Sequence, residues 1–309
     1  MVCNAMTEDT YKKVSSHIEG EWYPYHEGEW FTHTDICLYF QWDASDIRHA
    51  VSRKLYHDYK EISEPKLEKS NKAYRLIDQT LEEIDWEHAD PTSVYHIKMP
   101  YDIITGKGFS FEDYISIPPR ALIVVAGVSN SGKTTWLLNM MMRNMDDFKD
   151  VVYFTSELSA VALKRRLAPF EEWFELRNGD GKPKFKIYDR SANYQDVIKP
   201  KYSDGLVFID YLDVNEEAEY YKLKPYLKRI KNAMRRGIAV VALQKAPGLE
   251  DAYGGKNLRG DADLYLAMDF GKVRVVKVKD WHTENPNGKV YGFDIEYSGS
   301  MFTNIGVEL

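Results

Sequence analysis

The chain has 309 residues, 44% of them hydrophobic, enough to bury one large core or two modest ones. No apolar run reaches the roughly 18 residues that cross a bilayer, and the opening MVCNAMTEDTYKK has no signal-peptide core, so a cytoplasmic protein is expected. A net charge of −7 excludes wholesale coating of nucleic acid but leaves room for local basic grooves; two cysteines, Cys3 and Cys37, are too few for a disulfide framework and stand at no metal-ligand spacing.

From about residue 11 to 86 the chain is a series of short amphipathic segments rich in aromatic residues and charge. THTDICLYFQWDASDIRHAVSRKLYHDYK reads as two short helices around a turn at Trp42 and Asp43, with Thr34 capping the first and Asp43 or Ser45 the second. Ile47, Val51 and Leu55 share the inward face. EISEPKLEKSNKAYRLID reads as two strands around a polar tip bearing Lys66, Lys69 and Lys72. Together these predict a small winged-helix-like α+β domain over 1–90, whose second helix leaves Arg48, Ser52 and Arg53 exposed for duplex DNA. The flanking acids Glu19, Glu21, Glu27 and Glu29 suit a protein-docking role equally well. Residues 91–119, with Pro91, Pro100, Pro118 and Pro119, read as a linker or docking segment.

Beyond residue 120 the runs ALIVVA, VVYFTSE, LVFIDYL and IAVVALQ are short, apolar and bounded by polar residues, as strands buried on both faces are. Helical patterns at 133–144, 160–168 and 223–236 separate them; in the last, Leu223, Leu227, Ile230 and Met234 form one stripe and Gly237 supplies a stop. Strand and helix in alternation predict an α/β domain with a mainly parallel sheet over 120–309.

The first strand runs straight into GVSNSGKT, where Gly127, Gly132, Lys133 and Thr134 complete G-x-x-x-x-G-K-[ST] between a strand and a helix. Glycines let successive N–H groups turn toward phosphate oxygens, and the helix N-terminus adds partial positive charge. Gly127, Ser129, Asn130, Ser131, Gly132, Lys133, Thr134 and Thr135 are thus the candidate ATP-binding residues. Lys133 would meet the β and γ phosphates and Thr134 would ligate Mg²⁺.

Three strand ends carry the remaining chemistry. Glu157, in TSELS, could orient the attacking water if its strand lies beside the first; Ser156 or Glu157 could equally cap the next helix. Asp210 ends an apolar strand, where a nearby cation explains a carboxylate, and so reads as the acid holding the waters of Mg²⁺. Gln244 could sense the γ phosphate, or be an ordinary strand-end amide.

VVAGVSNSGKTTWLLNM, VVYFTSELSAVALKRRL, LVFIDYLD, GIAVVALQ and GGKNLRGDADLYLAMD resemble, in order and spacing, the DnaB-type replicative helicases of the RecA-like P-loop ATPases, over about residues 100–309. The resemblance implies a RecA-like core in which Glu157 is the catalytic carboxylate, Asp210 the Walker B acid and Gln244 the coupling residue. KVRVVKVKD places Lys277 and Lys279 on one side of a strand, similar to the paired basic finger that reaches a neighbouring subunit's γ phosphate in that family. Lysine stands at 279 where those enzymes usually have arginine, Asp213 stands where they carry glutamine, and Lys272 and Arg274 extend the alternation as a solvated edge would.

Two loops follow strand ends where RecA-like rings present DNA-binding loops, DVNEEAEYYKLK and KAPGLEDAYGGKNLRGDAD. The first starts acidic. In the second, Lys245, Lys256 and Arg259 could track a single-strand backbone and Tyr253 could stack on a base. The region ahead of the motor lacks the family's helical collar, so the expectation is an oligomeric, Mg²⁺-dependent ATPase acting on DNA, a helicase in the leading version and a non-translocating ATP switch in the alternative. A homo-oligomer, with a hexameric ring as one form, follows from the basic finger.

Overall fold

A computed structural model of the chain describes residues 8–26, 28–61, 64–77, 84, 86–213 and 217–307. It divides into two units, within residues 1–89 and 90–309. Cys3, Glu27 and residues 214–216 of the first candidate DNA loop lie outside the described residues.

In the first unit the order is α1 (Glu8–His17), β1 (Phe31–Thr32), α2 (His33–Tyr39), α3 (Ser45–Lys60), β2 (Leu67–Ser70) and β3 (Ala73–Leu76), and the strands form an antiparallel sheet ordered β1-β3-β2. Val51 and Leu55 are fully buried against Val14, Ile18, Trp22 and Leu67, with Ile47 at the margin of that cluster. The cap of α2 is Thr32, two residues before the expected Thr34, because Asp35 then falls at the third helical position and the two side chains satisfy each other's backbone N–H. Helix α3 has no side-chain cap at Ala44. Its polar interior was not visible in the apolar pattern: Lys54 is 5% exposed and Asp58 1%. Lys54 Nζ donates to Glu19 at 2.6 Å and to Asp58 at 2.9 Å, and the Tyr23 hydroxyl donates to Asp58 at 2.7 Å.

The second unit is built on a nine-stranded sheet ordered β12-β11-β10-β9-β4-β8-β7-β5-β6. Its members are β4 (Ala121–Gly127), β5 (Val151–Thr155), β6 (Lys186–Asp189), β7 (Leu206–Asp210), β8 (Ile238–Gln244), β9 (Leu264–Asp269), β10 (Lys272–Val278), β11 (Val290–Glu296) and β12 (Met301–Val307). Strands β4 to β9 are mutually parallel; β10 to β12 extend the sheet antiparallel. Alternation divides each strand between two cores. The helices of this unit are α4 (Lys133–Asn144), α5 (Ala160–Leu167), α6 (Gln195–Lys201) and α7 (Leu223–Ala233); Ile123 and Val125 pack with Trp136 and Leu137 of α4, and Leu122 and Val124 pack with Leu227 and Ile230 of α7.

Helix α7 ends at Ala233, three residues before the expected Arg236, and Gly237 serves a different purpose: a Cβ there would collide with the carbonyl oxygen of Gly205. Segment 91–119 packs into its own unit, since Met99, Phe109 and Phe111 are fully buried beside Trp136. Asn144 exchanges hydrogen bonds of 2.9 and 2.8 Å with the Lys98 backbone. The sheet and its order, with β8 between the phosphate-loop strand β4 and the acid-bearing strand β7, make this unit α/β with a RecA-like core.

Candidate functional site

At the carboxyl edge of the sheet a cavity of about 580 Å³ is lined by Lys133, Thr134, Glu157, Asp210 and Gln244, so the five residues singled out from separate strand ends converge. They do so although β5 is not beside β4. Strands β8 and β7 intervene, placing β5 roughly 14 Å from β4 at ~4.8 Å per strand, and the chain after Thr155 brings Glu157 back toward the phosphate loop.

Local geometry explains the loop sequence. A Cβ on Gly127 would fall 2.6 Å from Ser131 Oγ and 2.8 Å from Lys133 Cγ, and Gly132 enters α4 at φ 96°. Lys133, 9% exposed, donates to the carbonyls of Gly127 (3.0 Å) and Val128 (2.8 Å) and to Gln244 Oε1 (3.1 Å). Ser131 Oγ is buried without a hydrogen-bond partner among the described residues. A cradle with an orphaned hydroxyl, inward-facing lysine and a helix N-terminus fits a phosphate chain. Ser129 and Asn130 line the same wall. Thr135 does too, but its hydroxyl is committed to the Gly299 carbonyl at 2.5 Å, so it ties the C-terminal turn 297–299 to the loop instead of facing phosphate.

Asp210 is 3% exposed and accepts from the Tyr153 hydroxyl at 2.5 Å and from Thr134. Burial pushes its carboxyl above the usual carboxylate range, against those hydroxyls and Lys133. Among the described residues no three His, Cys, Asp or Glu side chains group to hold a metal. An Asp210–Thr134 pair beside a phosphate cradle instead suits Mg²⁺, which takes few protein oxygens and shares the rest with phosphate and water.

Glu157 has its carboxyl raised, first by burial and then by the charge of Asp210, while Lys133 and a hydrogen bond from Tyr211 oppose the rise. The capping alternative falls to Ser159, whose hydroxyl accepts from Ala162 N at 3.3 Å at the start of α5 (Ala160–Leu167). Asp213 has a role here: it accepts from the Tyr211 hydroxyl at 3.2 Å, so the single O–H of that phenol is shared between Asp213 and Glu157 on the cavity wall.

Arg166 and Tyr220 on the cavity wall, and Tyr153, which stands behind the wall and bonds Asp210, escaped the sequence reading. Arg166 comes from the last turn of α5, where a basic KRR run already suits the helix dipole; Tyr153 is hidden inside an apolar strand; Tyr220 sits in an acidic loop.

Other expectations are corrected. Lys245 is turned inward, 1% exposed, with Nζ 2.6 Å from Asp269, because it starts the turn directly after buried β8. Arg259 is held by Asp251 and Glu250. Tyr253 stacks on Tyr220, centroids 4.7 Å apart, so one face of its ring is already covered. Lys256 remains exposed. In the first unit Arg48, Ser52 and Arg53 are all exposed as expected, Arg53 lying 4.7 Å over the Tyr11 ring and Arg48 making a surface ion pair of 3.3 Å with Asp43.

Lys277 and Lys279 lie at the opposite edge of the sheet. Lys277 pairs with Tyr265 at the start of β9, whereas Gly127 is level with Met268. The separation is on the order of 10 Å along the strand before the phosphate loop begins, so neither lysine serves its own chain's cavity.

The site and fold define the class: a P-loop nucleotide-binding core of RecA-like strand order. No family model and no curated protein matches the chain. Among solved structures it is similar to a KaiC-like protein from the hyperthermophilic archaeon Pyrococcus horikoshii OT3, at 19% identity, over 70% of this chain and 100% of that one, with a TM-score of 0.47. A likeness of that extent assigns neither family nor activity. Among the described residues no helix is long and apolar enough to cross a membrane.

Proposed function

We propose that the chain is an ATPase that works as a DNA motor of the DnaB type, assembled so that each cavity lies beside a neighbour's Lys277 and Lys279 edge. The observation that carries this reading is the convergence of Lys133, Thr134, Glu157, Asp210 and Gln244 on one cavity. Lys133 grips the phosphates, and Glu157 orients water and accepts its proton. Bound Mg²⁺ would neutralise phosphate charge, held through Thr134 and Asp210. Gln244, already bonded to Lys133, is placed to register whether that lysine has turned to a phosphate.

For the first unit, the element order α1-β1-α2-α3-β2-β3 with its three-stranded antiparallel sheet supports a winged helix, with Ser52 and Arg53 of α3 and the hairpin lysine Lys72 toward DNA. A second reading has a specific observation behind it. The inward Lys245 and paired Arg259 leave the second loop poorly supplied for tracking single-stranded DNA, which favours an ATP switch that assembles on DNA without moving. ATP hydrolysis with and without single-stranded DNA, alongside strand separation on a forked duplex, separates the two. Stimulation with separation supports the motor; stimulation without separation supports the switch; absence of hydrolysis in every condition refutes both.

A further inference from the structure

The two lysines of the basic edge are not equivalent. Lys277 Nζ donates to three backbone carbonyls, those of Arg259 (2.5 Å), Gly260 (3.2 Å) and Ala262 (2.9 Å). An ammonium has three protons, and all three are used. Lys277 therefore staples the end of the 245–263 loop to β10. Lys279 is different: its side chain is 48% exposed and makes one bond to a carboxylate, 3.0 Å to Asp263 Oδ1.

Asp263 is the fixed point. It is 6% exposed, accepts from Leu122 N at 2.8 Å and Lys231 Nζ at 2.6 Å, and its backbone is locked to both neighbours, donating to Leu122 O and accepting from Lys279 N, each at 2.8 Å. Lys231 in turn donates to the Asp261 carbonyl at 2.9 Å. Two ammonium groups thus share one buried carboxylate, and among the described residues the outer one meets no second acceptor, which leaves protons for a further anion.

We propose that Lys279 alone is the cation presented to the neighbouring chain's nucleotide, and that Asp263 is its positioning residue, holding the ammonium aimed outward from a rigid strand end. This rests on the trans arrangement proposed above. Positioning of this kind matters because a charge supplied to a transferring phosphoryl group acts through placement. Asp263 touches no substrate; it acts through Lys279.

The test is complementation. Chains with Lys133→Ala have no working cavity of their own but an intact edge; they are mixed with chains carrying edge substitutions, and ATP turnover and nucleotide affinity are measured. Lys279→Ala alone is expected to lose turnover about a hundredfold with nucleotide affinity retained. Asp263→Asn alone is expected to lose about tenfold, also with affinity retained, and each should recover on mixing with Lys133→Ala chains. Lys277→Ala is expected to fall at least about tenfold less than Lys279→Ala. A structural lesion that spreads from Asp263 to the chain's own cavity through Leu122 of β4 would lower nucleotide affinity and resist rescue by any partner, and that outcome overturns the positioning role. Wild-type turnover in Asp263→Asn overturns it too while leaving the trans arrangement standing. Equal losses at 277 and 279 overturn the division between the lysines. Failure of Lys279→Ala to recover on mixing removes the trans arrangement itself, and the proposal with it. Should Asp263→Asn not fold, the Asp263→Asn and Lys279→Ala comparison is replaced by Lys279→Arg: retained turnover supports a charge aimed from this position, and a loss equal to that of Lys279→Ala counts against it.

Discussion

On the proposed function, Glu157 is the residue on which turnover should depend most sharply, because positioning a water is chemistry that neither the phosphate loop nor Asp210 supplies. Glu157→Gln keeps the shape and hydrogen-bonding reach of the side chain and removes its basicity. It is expected to leave nucleotide affinity intact and to lower turnover about a hundredfold, measured as phosphate release beside a binding isotherm. Turnover near the parent rate would exclude Glu157 as the base. The same residue sets a pH dependence. Its carboxyl is raised by burial and by Asp210, and the base acts only when ionised, so turnover should fall as pH falls, setting in above the ordinary carboxylate range. The residual rate of Glu157→Gln should lack that acidic limb; an identical limb would assign it elsewhere. Lys133, Glu157, Asp210 and Gln244 were legible because each is polar where an apolar strand ends, and a buried polar group requires a reason. Tyr153, Arg166 and Asp263 were not, since a tyrosine in a strand, an arginine late in a helix and an aspartate in a loop each have an ordinary explanation.

Elements were readable where periodicity was strong. The four apolar runs became β4, β5, β7 and β8, and the 133–144 pattern became α4 without adjustment. Helix α1 and strand β6 were missed: one is marginally apolar, and the other, KIYD, is four residues with mostly exposed side chains. What periodicity could not show was polar burial within an element. Lys54→Met would leave Asp58, 1% exposed, facing Tyr23 without its ammonium partner; removal of one member of a buried pair costs roughly 3–5 kcal/mol, to be read from urea unfolding of the full chain. A change within about 0.5 kcal/mol would mean the charge is met by other groups. Gly237→Ala is expected to destabilise the second unit by more than about 2 kcal/mol, because the backbone carbonyl of Gly205 cannot yield as a side-chain tip would. An unchanged unfolding midpoint would show that the 205–237 contact relaxes freely.

At the scale of the whole molecule, cavity and basic edge lie at opposite ends of one sheet, and a single chain cannot bring them together. Head-to-tail association does so repeatedly and closes into a ring if the rotation permits. Light scattering with ATP and Mg²⁺ should therefore give a mass several times the 35.9 kDa of one chain; a mass that stays at one chain under conditions of active turnover would contradict catalysis in trans. The sequence suggests such an arrangement only through its resemblance to a family, since spacing places lysines on a strand but not on an edge. Beneath oligomer and motor alike lies the occupancy of the phosphate cradle. Calorimetric titration of the chain with ATP and Mg²⁺ measures that occupancy directly. Saturation at one nucleotide per chain, abolished by Lys133→Ala, is the expected result; absence of saturable heat, or equal binding by Lys133→Ala, would contradict it.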